Sequence, residues 1–206
     1  MNQQLNIRNL GKQDYRATWE SMQATVLQKD ENSVDEIWFL EHKPVFTLGQ
    51  AGKEENILNS DSIPVVRTDR GGEVTYHGPG QLIVYFMLNL KKRGWGPKKL
   101  IEELENLILS LLDGYSINAE RKTGAPGIYI SDKKVASIGL KIKKGFSYHG
   151  ISINVDMDLM PFKNINPCGY DSLEMTQLID HADLSMQLVE NDLKVLISNH
   201  FSKGSS

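Results

Sequence analysis

A single cysteine, Cys168, occurs in 206 residues, so no internal disulfide can form and any thiol chemistry has one address. Long apolar runs are missing too. The longest, Leu82 to Leu90, contains Asn89 and falls far short of the ~20 residues that span a bilayer. Residues 1–30 hold no charged stretch followed by an apolar run and a small-residue cleavage site, so a cytoplasmic protein without a membrane segment is expected. There is no basic excess: 23 Lys and Arg against 26 Asp and Glu give a net charge of -3, which argues against nucleic acid as the main partner. Neither the dinucleotide glycine fingerprint nor the G-x-x-x-x-G-K-[ST] loop is present, and neither H-E-x-x-H nor paired cysteines occur. No cofactor and no metal site are expected.

What is present suits one filled core. With 40% hydrophobic and 24% charged residues, a single domain over residues 1–206 is expected. Leu5 to Leu10 is strand-like. Between Gln13 and Lys29, Tyr15, Trp19, Met22 and Val26 recur at alternating steps of four and three, one face of a helix. Val34 to Glu41 and Val45 to Leu48 are rich in strand formers and are separated by Pro44. Residues 49–62 read as a polar surface excursion ahead of a strand near Pro64 to Thr68. Arg70 to Gln81 then carries four glycines in twelve residues and runs into an apolar strand, Leu82 to Leu90.

Pro97 opens the strongest helix, striped by Leu100, Ile101, Leu104, Leu107, Ile108, Leu111 and Leu112, with Gly114 just past its end. Ile128 to Ser131, Val135 to Lys143 and Phe146 to Asp156 look like adjacent antiparallel strands. Residues 183–201 form a last amphipathic helix with Leu184, Leu188 and Val195 facing inward. Strands interleaved with a few helices predict an α+β fold, helices packed on a mostly antiparallel sheet. No heptad seam or oversized apolar face demands a partner, so a monomer is expected.

Cys168 lies between Pro167, with its fixed φ, and Gly169, which has no Cβ, a setting that suits a side chain presented on a tight turn. Taken alone, it reads more readily as a small buried hydrophobe than as a nucleophile. A working thiol nucleophile needs an adjacent base or cation, and spacing does not choose among His77, His149, Lys133, Lys134 and Lys141. The glycine pairs around Thr75-Tyr76-His77 let backbone N–H groups approach a ligand, although tight hairpin turns use the same residues. Arg70 is open to a carboxylate partner or to solvent. His77 and His149 each precede a glycine and, lacking metal-ligand spacing, read as positioning or structural groups. Lys91-Lys92-Arg93, Lys98-Lys99, Lys133-Lys134, Lys141, Lys143 and Lys144 are either solvated surface or a positive face for an acidic partner.

Taken in order, these segments resemble the lipoyl(octanoyl) transferases, a family within the biotin and lipoate protein ligase fold group. Glu41 to Gly49 looks like the family's early motif, and Arg70 to Leu82 matches its R-G-G-x-V-T-x-H-G-P-G-Q-L signature. Thr123 to Gly127, Lys134 to Gly139, His149 to Asn154 and Pro167-Cys168-Gly169 follow in the family's order, so the resemblance covers nearly the whole chain. It implies a biotin/lipoate ligase-like (class II aminoacyl-tRNA synthetase-like) domain with Cys168 as nucleophile and Lys134, not Lys133, as its activating group. Implied substrate contacts are Arg70, Gly71, Gly72, Glu73, Val74, Thr75, Tyr76 and His77, then Ser137, Ile138 and Gly139, then Gly150, Ile151 and Ser152, with His149 in support. Ala125-Pro126, where relatives often carry a bulky aromatic nearby, would form a variable part of the pocket wall.

By the same resemblance, an octanoyl (or lipoyl) group passes from acyl carrier protein, with octanoyl-acyl carrier protein as the donor, to Cys168 as a thioester, without ATP. It then passes to the lysine ε-amine of lipoyl domains of 2-oxoacid dehydrogenases and of the glycine cleavage H protein. Two other activities share the fold. An ATP-dependent lipoate-protein ligase needs no cysteine, and an octanoyl amidotransferase working between carrier proteins normally carries its cysteine elsewhere. A non-catalytic binding module predicts that Cys168→Ala leaves function intact.

Overall fold

The computed structural model describes residues 4–167 and 173–201. Its chain order is β1 (Leu5–Gln13), α1 (Tyr15–Gln28), β2 (Asp35–His42), β3 (Val45–Leu48), β4 (Val65–Arg67), β5 (Val74–His77), β6 (Gln81–Met87), α2 (Leu90–Arg93), α3 (Pro97–Gly114), β7 (Glu120–Lys122), β8 (Ala125–Ile130), β9 (Lys133–Lys143), β10 (Phe146–Asn154) and α4 (Met186–Phe201). Seven strands form one mixed sheet in the order β1-β2-β6-β10-β9-β8-β7, and β4-β3-β5 form a second, small sheet. In the large sheet only β1 with β2 is parallel; the other pairings are antiparallel, as the expected α+β fold requires.

Strand alternation sends successive residues to opposite faces, and each face receives different helices. Leu82, Val84 and Phe86 of β6 and Ile151 and Ile153 of β10 meet the leucine stripe of α3 and Val189, Leu193, Ile197 and Phe201 of α4. Ile83, Tyr85 and Met87 of β6, with Phe146 and Tyr148 of β10, meet Met22 and Val26 of α1. Covered on both sides, β6 is buried at every position, which is why it reads as an unbroken apolar run. Asp14 caps α1 by accepting from the Ala17 N–H at 3.0 Å, and Pro97 occupies the first turn of α3, where its missing donor costs nothing.

Four sequence expectations change. The run Leu82 to Leu90 is not one strand: it stops at Met87, and the Asn89 side chain accepts from the Lys92 N–H at 3.1 Å to cap the short helix α2. The glycine-rich segment conceals a strand, β5, paired antiparallel with β3. In α4 the buried face runs through Val189, Leu193, Ile197 and Phe201, while Leu188 and Val195 are 43% and 59% exposed. Their positions belong to the opposite side of a 3.6-residue helix from Phe201. Arg93 also leaves the expected positive face, because its guanidinium is buried against the Asp35 carboxylate at 2.6 Å. Among the described residues, no helix is long and apolar enough to cross a membrane.

Candidate active site

One extra residue in β9 sets up the site. The β8–β9 ladder pairs Ile128 with Ala136 but Tyr129 with Lys134, so Val135 has no partner position and forms a bulge. Val135 and Ala136 both enter the core on the α3 and α4 side. The bulge therefore turns Lys134 to the other face, the one carrying Ser137 and Gly139. Lys134 is 2% exposed, and its ammonium lies 5.4 Å from the centre of the Tyr129 ring. Gly127, at φ 129°, makes room for it: a Cβ there would come within 2.6 Å of Lys134 Cε and 2.4 Å of the Ala136 carbonyl oxygen.

Lys134 borders a cavity of about 610 Å³. On the cavity side of the sheet, two rows of paired positions run from β9 through β10 to β6: Ser137, Ser152 and Ile83, then Gly139, Gly150 and Tyr85. The first two members of each row are small, so a trough is left in the sheet surface. Ile138 and Ile151 also border the cavity, with Pro97, Ile101, Ala125 and Pro126 forming an apolar wall.

The glycine segment lies over this trough, held by Arg70. Its Nη2 donates to the carbonyl oxygens of Thr47 and Glu73, each at 2.7 Å, and Nη1 donates to Gly71 O at 3.0 Å. The Gly71 N–H donates to Leu140 O at 2.8 Å, fastening the loop to β9. Arg70 is thus a buried clamp on the loop as well as a wall residue, and the solvated reading is excluded. Gly71, Gly72, Glu73, Val74, Thr75 and His77 line the cavity. Tyr76 does not. Alternation along β5 sends Thr75 and His77 to the cavity and Tyr76 into the small sheet's own core, where its ring sits 5.5 Å from both Phe46 and Phe162.

His149 has a left-handed backbone, φ 60°, which breaks the alternation of β10 so that both Tyr148 and His149 reach Asp69. The Asp69 carboxylate accepts from Trp19 Nε1 at 2.8 Å, Gln23 Nε2 at 3.1 Å, His149 Nε2 at 2.9 Å and the Tyr148 hydroxyl. Partial burial alone would raise its pKa, but the hydrogen bonds from His149, Tyr148 and Trp19 prevail and hold it below the usual carboxylate range. Burial lowers the pKa of His149 despite Asp69, so the imidazole is neutral near pH 7 with its proton on Nε2. Its Nδ1 is buried without a hydrogen-bond partner among the described residues. His77, fully enclosed and held neutral first by burial, bonds Gln81 Oε1 through Nδ1 at 2.7 Å.

Cys168 and Gly169 lie outside the described residues. The segment that follows them, Glu174 to Thr176, runs beside Lys134: the Lys134 N–H donates to Glu174 O at 2.9 Å, and the Thr176 N–H donates to Lys134 O at 3.0 Å. Lys133 faces away and pairs with Glu174 at 2.7 Å on the surface.

Residues 14–198 match the lipoyl protein ligase A/B catalytic domain. An octanoyltransferase of Vibrio cholerae is 49% identical over 197 residues, 96% of this chain and 90% of the relative. An octanoyltransferase of Legionella pneumophila is 50% identical over 195 residues, 95% and 94% of the two chains. The chain belongs to the octanoyltransferases. Its fold is shared with a bipartite lipoate protein ligase of Thermoplasma acidophilum, at TM-score 0.81 and 15% identity over 95% of this chain and 83% of the other. A biotin protein ligase of Aquifex aeolicus follows at TM-score 0.60 and 17% identity, over 94% and 69%.

This octanoyltransferase assembles its cavity partly from residues that sequence reading passed over. Asp69 is a lone carboxylate with no periodic or motif signal except its place just before Arg70. Tyr15 appears only as a helix-face residue, and Ile83 and Tyr85 are indistinguishable from other strand apolars until register places them at the trough's end.

Proposed function

We propose that this octanoyltransferase carries the acyl group as a thioester on Cys168, with Lys134 moving the proton. The observation that carries this reading is a buried amine, turned by the Val135 bulge into a cavity with an apolar wall and flanked by the chain that follows Cys168. In the first half-reaction the Cys168 sulfur attacks the carbonyl of an octanoyl thioester on acyl carrier protein. Lys134 takes the thiol proton and returns it to the departing phosphopantetheine sulfur as that C–S bond breaks. In the second, the ε-amine of a lipoyl-domain lysine attacks the enzyme thioester, an amide forms, and the displaced Cys168 sulfur recovers a proton through Lys134. Amide formation drives the cycle, so no nucleotide is consumed. Lys141 on the cavity wall, Lys143 and Lys144 at the β9–β10 turn, and Lys91 packed along Gly145 offer an acidic carrier a positive approach.

Intact-protein mass spectrometry after mixing with octanoyl-acyl carrier protein tests this. One octanoyl adduct is expected, absent in Cys168→Ala, removed by a lipoyl domain, and formed more slowly as salt is raised. Transfer that persists in Cys168→Ala, or that requires free octanoate and ATP, overturns it in favour of a ligase.

A further inference from the structure

We infer that Ile83 is the end-stop that sets acyl chain length, an inference that rests on the thioester reading above. Ladder registers place four residues in line across the sheet: Gly127 on β8, Ser137 on β9, Ser152 on β10 and Ile83 on β6. Lys134 Nζ lies 3.3 Å from where a Gly127 Cβ would stand, so the reacting end of the cavity is at the β8 end of this line. Ser137 and Ser152 offer little bulk. Ile83 is the first branched apolar side chain met on the way in, and it lines the cavity.

Three strand spacings separate Gly127 from Ile83, about 14 Å, or roughly 10 Å once the Ile83 side chain is allowed for. The seven carbon–carbon bonds of an extended octanoyl chain, at about 1.3 Å of advance each, span about 9 Å. A chain with two further methylenes runs into Ile83. Behind it, Leu40 on β2 pairs with Ile83, is 3% exposed, and does not border the cavity.

The test is the ratio of kcat/KM for decanoyl- over octanoyl-acyl carrier protein. Ile83→Ala removes three carbons and makes room for about two methylenes, each worth about fourfold when buried, so this ratio should rise about fifteenfold. Ile83→Val, safer for folding, should raise it about twofold. Leu40→Ala removes comparable packing behind the stop and should leave the ratio at its wild-type value. A ratio unmoved in both Ile83 variants, or moved equally by Leu40→Ala, overturns the assignment. If no donor acylates the wild-type enzyme, the thioester reading falls. The stop is then read from calorimetric binding of free octanoic and decanoic acids: a rise in relative decanoic affinity in Ile83→Ala upholds it, and no change overturns it.

Discussion

The two faces of the seven-stranded sheet are built from the same strands to opposite standards. On the α3 and α4 side, buried positions are almost all aliphatic or phenyl, and many residues share the packing. On the α1 side, the same strands present serines, glycines, tyrosines and histidines under a loop clamped by Arg70, and single atoms carry the arrangement. One face supplies stability through area, which tolerates exchange of similar residues. The other supplies geometry, which does not. Alternation separates most of the two, although Ile138, Ile151 and the start of α3 also border the cavity, and it is broken at the Val135 bulge and at the left-handed His149.

The sharpest way to break this contrast is to cut one residue on each face. Lys134→Ala should lower acyl transfer by about 10²- to 10⁴-fold, the usual scale for losing a positioned proton carrier, while leaving a cooperative melt. Retained transfer at more than a tenth of the wild-type rate would mean that the buried amine is structural. Leu104→Ala, in the middle of the α3 stripe and fully buried, should do the reverse: a loss of about 2–5 kcal/mol in urea denaturation, with transfer per folded molecule close to wild type. A strongly reduced rate in the folded variant would show that the two faces are not independent.

Acid sharpens the comparison from another side. His42, wholly enclosed between α1 and the sheet with Nε2 against the Tyr85 hydroxyl at 2.7 Å, has its pKa lowered by burial to about 4. Below pH 6.5 the unfolded chain binds a proton that the folded chain refuses. Stability is therefore complete above pH 6.5 and falls as pH drops toward about 4, by about 3 kcal/mol from His42 alone. His77 and His149, also held neutral by burial, act in the same direction. Urea midpoints measured from pH 7.5 to 4.5 should fall steadily, and His42→Gln should flatten the curve. An unchanged slope in that variant would remove His42 from the account.

The parts built on area were the legible ones, on both sides of the sheet. The α3 stripe, the α1 face through Met22 and Val26, and the antiparallel run through β8, β9 and β10 all follow from period alone. Period misled in α4, because Leu188 and Val195 are apolar yet lie on the solvent side, so composition suggested a face that packing did not use. In the site, motif order located the glycine loop, Lys134 and the serine and glycine floor. Asp69 escaped because its meaning comes from four contacts distant in sequence. Nothing in Lys-Val-Ala-Ser announces that Val135 is surplus to the ladder, since a bulge becomes visible only against the partner strand.

That surplus residue ties chemistry to register. If the β8–β9 hairpin slid by one position to absorb Val135, the ladder would become regular and the amine would turn from the cavity into the leucine-lined half of the sheet. That would drive a cation among aliphatic side chains, so the irregular hairpin spares the fold a burial it could not offset cheaply.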